Sequence, residues 1–291
     1  MRGPASHPVV VGGAVDFAVR EVLSVVKVDH SRARGRGGPG HAEHDANALT
    51  RAQSTGRQWI SVCTTVSADQ SGRLDVLELV SGCSIEAPLE RLKWFCEGEY
   101  AYYDAIPSAN PNRIDPLDVL VTVAVNSFVN SASNVHRVHQ GMAANCEPIL
   151  ATIPEDADLL DFNHSSGPLR ELLHAAVQIK GVLIPVATKV LHRKRRSLVP
   201  MLDSVVIRHY LSAPEYKALL PGTESKAKAA NVAMEALRLF RDDLLQSRPE
   251  IEDLQQQLAH VGFPLTAVRV LEILVWTQTE PAGGYRAPRP A

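Results

Sequence analysis

Asp203 is the side chain in this sequence best placed for chemistry. It follows Pro200 at a distance of three residues, precedes Ser-Val-Val-Ile-Arg, and is the single acid between Lys180 and Tyr210. A carboxylate there can cap a helix by accepting its first backbone N–H groups, which stabilises the helix by roughly 1 kcal/mol. Around it stand seven basic residues, Lys180, Lys189, Arg193, Lys194, Arg195, Arg196 and Arg208. A local positive excess of this kind is what phosphate contacts need, in a chain whose overall net charge is -2. The alternative is a helix C-terminus whose cations complement the helix dipole. The unbroken basic or imidazole run His192–Arg196 is longer than a dipole requires.

Other residues offer less. His136-x-x-His139 and His41-x-x-His44 have a spacing that could share a metal, but neither pair has an obvious third ligand. The cysteines, at 63, 83, 96 and 146, have no C-x-x-C spacing, so reduced, mostly buried thiols are expected rather than a metal cluster. Trp94, Phe95, Tyr100, Tyr102 and Tyr103 could stack a base, although an aromatic helix face more often belongs to a core. No Gly-rich phosphate loop, G-x-S-x-G elbow or H-E-x-x-H motif is found, and the reading calls for no cofactor.

The elements that must hold Asp203 lie in the run 179–210. Its pattern is a turn at Gly181, a helix from about Ile184, a basic end, a second turn, and a further helix. Gly181 can take the positive φ of a tight helix–helix turn, and Pro185 suits a first helical turn, where its missing N–H costs nothing. Flanking segments are also helical in pattern. Asp115-Pro-Leu-Asp118 opens a helix whose continuation Val119–Val129 is apolar on nearly every side. Ser166-Gly-Pro opens another, with a stripe of Leu169, Leu172, Leu173, Ala176 and Val177. Ser212-Ala-Pro-Glu215 reads as a capping box, 223–247 as one long helix, and 265–277 as a final helix carrying Val268, Val270, Leu271, Ile273, Leu274 and Trp276.

The run 179–210 resembles the helix-hairpin-helix base-excision DNA glycosylase superfamily, whose pattern is Gly-Val-Gly-x-Lys-Thr-Ala, an apolar helix, then Pro-x-Asp-x-x-x-x-Arg. Gly181 and Val182 match its opening, Ala187 falls at the sixth position after the glycine, Asp203 lies 22 residues after Gly181, and Arg208 follows five later. Leu183 replaces the second hairpin glycine, and two residues rather than one separate Pro200 from Asp203. The resemblance implies an all-helical scaffold, duplex DNA as partner, Gly181, Lys189, Arg193, Lys194, Arg195, Arg196 and Arg208 as contact residues, and Asp203 assisting loss of a flipped base. Pro185 stands where bifunctional members carry a Schiff-base lysine, so lyase chemistry is not expected. The theme Lys194-Arg195-x-x-Leu198-Val199-Pro200-x-x-Asp203-Ser204 also resembles an uncharacterised bacterial family, which adds no activity. The alternative function is a non-enzymatic helical module that keeps the scaffold and binds a protein partner.

At 291 residues, with 45% hydrophobic and 21% charged residues, the chain has the composition of a globular protein. The fold expected is mainly α, over residues 87–278, preceded by a short β-hairpin within 58–86 that pairs Trp59–Val66 with Leu74–Val80. Residues 1–57, with the Gly/Arg-rich stretch Ser31–Gly40 and the polar run His41–Arg57, are expected to be mostly disordered, with a short helix around Val15–Val26, and the tail 279–291 to be flexible. No apolar run approaches the ~20 residues of a membrane span, and a cytoplasmic location is expected.

Overall fold

The computed structural model describes residues 74–278, apart from 99, 128, 130, 162–166, 213 and 216–225. The expectations for 1–57, for Trp59–Val66 and for 279–291 lie outside the described residues. Contacts divide the chain into Met1–Val62 and Cys63–Ala291, and all that follows concerns the second unit.

Among the described residues the architecture is mainly helical, with one short sheet. Strands β1 (Val76–Glu78) and β2 (Ser84–Glu86) are antiparallel, Leu77 facing Ile85. The strand at 76–78 therefore pairs forward, where the sequence suggested Trp59–Val66 as its partner. The cause is a local turn. Leu79 N–H donates to Cys83 O at 2.8 Å, Gly82 N–H donates to Leu79 O at 2.9 Å, and Gly82 supplies φ +84°.

Helices α1 (Pro88–Glu97) and α2 (Ala101–Ala105) follow. Helix α3 (Pro116–Leu120) starts at Asp115, as its Asp-Pro signal predicts, and Asp118 Oδ2 accepts from the Asp115 N–H at 2.9 Å. The expected long helix over Val119–Val129 does not form. The α geometry ends at Leu120, continues as a 3-10 segment over Val121–Val125, and stops at Asn126, which has φ +58°. Branched residues at 121–123 crowd a helix, and Asn tolerates the left-handed conformation that ends it.

The remaining helices are α4 (Ala132–Leu150), α5 (Gly167–Val177), α6 (Ile184–His192), α7 (Ser204–Tyr210), α8 (Lys226–Gln246), α9 (Arg248–His260) and α10 (Ala267–Gln278). The α5 stripe read from the sequence is buried throughout. Of the box expected at Ser212 and Glu215, the carboxylate half is present, with Glu215 Oε2 accepting from the Ser212 N–H at 2.9 Å and from its hydroxyl at 2.7 Å. Helix α10 is buried on every side from Val268 to Thr277 and packs against α1, α7, α8, α9 and β2, so it is the central element. Helix α5 lies against α4, α6 and α8. Gly141 lets α4 close on the start of the hairpin turn, since a Cβ there would stand 2.6 Å from Ile179 Cγ2. No helix among the described residues is long and apolar enough to cross a membrane.

Candidate functional site

The hairpin forms as its residues dictate. Gly181 has φ +79°, Leu183 is extended before the first turn of α6, and Pro185 sits inside that turn. The α6 face carrying Thr188 and His192 then fixes the loop that follows. Thr188 Oγ1 donates to Ile184 O at 2.9 Å and accepts from the Leu202 N–H at 3.0 Å. His192 Nδ1 lies 2.7 Å from Val199 O, and because a carbonyl can only accept, Nδ1 carries the proton. Burial holds His192 down at about 3, so it stays neutral and structural. With the loop pinned, Asp203 caps α7 and accepts from Val205 N–H at 2.8 Å and Val206 N–H at 3.0 Å. The cap reading of Asp203 is thus what the geometry shows.

The basic cluster does not face solvent. Lys189, Arg193, Lys194 and Arg195 are buried, Arg195 completely. Arg193 Nε donates to Asp118 Oδ1 at 3.0 Å, Lys194 Nζ donates to Asp118 Oδ2, and Asp118 is itself 2% exposed. The rest of their donors reach the carbonyls of Tyr103, Pro107 and Asn110 and the Ser108 hydroxyl. Arg195 donates to the carbonyls of Leu150, Ile153, Pro111 and Lys194 and to Asn112 Oδ1. Burial alone would push the Asp118 carboxyl up, but the hydrogen bonds from Lys194, the Asp115 N–H and Arg193 outweigh it and hold the group below its ordinary value. The surface patch anticipated from His192–Arg196 is therefore an internal strap, because side chains so buried and so fully bonded do not reach a phosphate. Of the residues the resemblance nominates, Gly181 and Arg208 are exposed and Arg196 is half-buried. Arg208 Nε donates to Ser204 O at 2.7 Å.

One nominated cation does meet Asp203, in a small cavity. Lys189 and Asp203 line a space of about 30 Å3 together with Arg269, Glu272, Asn126, Met201 and the rings of Phe95, Tyr100 and Trp276. Phe95 and Tyr100 stack at 5.6 Å between centroids, and Trp276 meets both edge-on at 5.9 and 5.1 Å. The aromatic cluster noted in the sequence is thereby divided. Phe95 and Tyr100 form the cavity wall, Tyr103 is buried core, Trp94 is half-buried and Tyr102 is exposed. A space this size holds one or two waters, so a planar ligand requires the lining to open, and Tyr100 and Asn126 are its half-exposed and exposed members.

The charges around the cavity are tightly arranged. Arg269 lies 4.9 Å above the Phe95 ring, donates from Nε and Nη2 to Asp104 at 2.8–3.2 Å, and gives Nη1 to Glu272 Oε1 at 2.7 Å. Lys189 Nζ donates to Val125 O, and burial lowers its pKa against the pull of Asp203 and Glu272. Burial pushes Glu272 up to about 7, with Arg269 opposing and Asp203 and Asp104 adding to the rise. Arg269, Glu272, Asn126 and Trp276 were absent from the sequence-derived set. The signal available was the pair Arg269 and Glu272, three residues apart, interrupting an otherwise apolar helix. Such charges in a core helix need a stated reason, and the cavity supplies one. The cysteines at 83, 96 and 146 are free thiols, the last two buried, with burial raising them to about 11 and about 12.

The pattern of DUF6308, a family of unknown function, matches residues 95–279. The chain belongs to DUF6308. Every residue lining the cavity falls within the span that defines DUF6308. No curated protein and no solved structure matches the chain.

Proposed function

We propose that this DUF6308 protein binds DNA through its helix-hairpin-helix-like segment and receives a flipped base in the aromatic-walled cavity beside Asp203. The observation that carries the reading is the double placement of Asp203, which caps α7 and also lines the cavity with Lys189, Glu272, Phe95, Tyr100 and Trp276. Stacked rings suit a planar heterocycle. A carboxylate held rigidly by two backbone N–H groups is preorganised to stabilise positive charge developing on a sugar ring and to orient water toward it. For the phosphates, the solvent-facing cations beside the hairpin are Lys180, Arg137, whose guanidinium lies against Gly181, and Lys226, which donates to Gln178 O at 2.5 Å.

The test is duplex binding titrated against salt, followed by single-turnover base release from duplexes carrying damaged bases. About three phosphate contacts give a slope of log affinity on log salt near -3, at roughly -0.9 per phosphate. Absence of binding at the lowest salt removes the reading. Binding with no base release by the wild type, or equal release by Asp203→Asn, leaves a DNA-binding protein without this chemistry. The inward turn of Lys189, Arg193, Lys194 and Arg195 favours a second reading, a helical module that binds a protein partner, since it leaves few cations for DNA. A salt-independent protein complex in place of duplex binding would select it.

A further inference from the structure

Glu272 has no part in the capping, packing or DNA contacts described above, yet it is buried with its carboxyl at the cavity. One oxygen is taken, since Oε1 accepts from Arg269 Nη1 at 2.7 Å. The other, Oε2, has only a long contact, 3.4 Å, from the Met201 N–H. Arg269 directs its other donors away from Oε2, with Nε and Nη2 on Asp104 and Nη1 also on Met201 Sδ. The groups that face Glu272 are Arg269 on its own helix, Asp104 and Tyr103 from α2, Lys189 from α6 and Asp203 from the cap of α7. With every group ionised that set holds three carboxylates against two cations. A proton on Glu272 closes the balance, and Oε2 is the oxygen with room to carry it into the cavity.

Resting on the base-release reading above, we propose that Glu272 is the proton donor to the departing base, and that the substrate class is a neutral heterocycle with an in-plane lone pair facing Oε2. The step balances as follows. The bond between the sugar carbon and the base nitrogen breaks, and its electron pair goes to the base. The base takes the Glu272 proton at a ring nitrogen or carbonyl oxygen, leaving Glu272 as a carboxylate. Water adds to the sugar carbon and gives its proton to Asp203. Exchange with solvent then removes that proton from Asp203 and returns one to Glu272. Protonation at this point serves neutral leaving groups and is superfluous for a base already positively charged by N-alkylation.

That difference supplies the experiment. The full-length wild type and Glu272→Gln are compared in single-turnover base release, from pH 5 to 9, on duplexes carrying either a neutral damaged base or an N-alkylated cationic purine. The neutral base should be released about 100-fold more slowly by the variant, with the wild-type decline above pH 7 abolished. The cationic base should be released by both proteins within about threefold. Equal rates on the neutral base, or an equal loss on both, overturn the proposal while leaving Asp203 and the cavity reading in place. Failure of the wild type to release any base overturns both. A folding readout keeps the two separable. The wild-type denaturation midpoint should fall as pH rises from about 4.5 to about 7, and Glu272→Gln should remove that slope; if the wild type has no such slope, Glu272 holds no proton and the donor role is overturned whatever the kinetics.

Discussion

The Asp118 strap and the Glu272 cavity are both buried, both centred on arginine and carboxylate, and both draw residues from the stretch between α6 and α7. They differ in closure. In the strap, Arg193, Lys194 and Arg195 meet one carboxylate and a set of carbonyls, and nearly every donor has an acceptor. In the cavity, Glu272 Oε2 and the Lys189 ammonium keep unused capacity, and with Asp104 behind Arg269 the carboxylates outnumber the cations three to two. A closed set of buried charges fixes a structure, and an open one retains the means to bind or to transfer a proton. Charge density alone would rank the strap first.

The comparison breaks most readily at Asp118. Asp118→Ala strands two buried cations and should destabilise the fold by about 3–5 kcal/mol, read from denaturant unfolding at neutral pH; a change under about 1 kcal/mol would mean the strap is not closed as described. Acid makes the same point reversibly. The Asp118 carboxyl lies below its unfolded value, so its stabilisation is complete above the unfolded pKa of about 3.9 and is lost as pH falls through the folded value. The wild type should therefore lose stability below about pH 4, and Asp118→Asn should lose much less. In the cavity, Lys189→Met removes an ammonium that donates to the Val125 carbonyl rather than to a carboxylate, at similar volume, and should change stability by less than about 1.5 kcal/mol, in contrast to the strap. Smallest of all, Asp203→Asn should leave stability within about 0.5 kcal/mol, since Asn caps as well as Asp, while Asp203→Ala should cost about 1 kcal/mol. A large loss for Asp203→Asn would make the carboxylate structural and count against its chemistry.

Much of the fold was legible because its signals are local. Asp115-Pro, Gly167-Pro168, Gly181, Pro185 and Asp203 each act within one helical turn, and the helices they open begin where those residues direct. The 3-10 segment at 121–125 was not legible, because an apolar run states burial without stating helical pitch. The pairing of Val76–Glu78 with Ser84–Glu86 was not legible, because it depends on a tight turn at Gly82 that strand-like periodicity does not state. For the site, Asp203 could be singled out from its spacing. The direction of the basic run could not, as a linear sequence of cations gives no sign of the Tyr103–Asn112 carbonyls that turn to meet it. Arg269 and Glu272 were visible as oddities in an apolar helix, but their role depends on Asp104 and Asp203, distant in sequence and joined only by the fold.

Arg193, Lys194 and Arg195 hold the loop at 107–111 mainly through the backbone oxygens of Pro107, Asn110 and Pro111. Every amino acid has that oxygen, so the loop's conformation is encoded in the residues that grip it rather than in its own letters. Pro107 and Ala109 are exposed and should accept wide substitution without moving the chain, whereas a lysine in place of Arg195 would lose the fork that reaches four carbonyls. A stretch that looks arbitrary in sequence can thus be fixed in space, its specification written some 80 residues further along the chain.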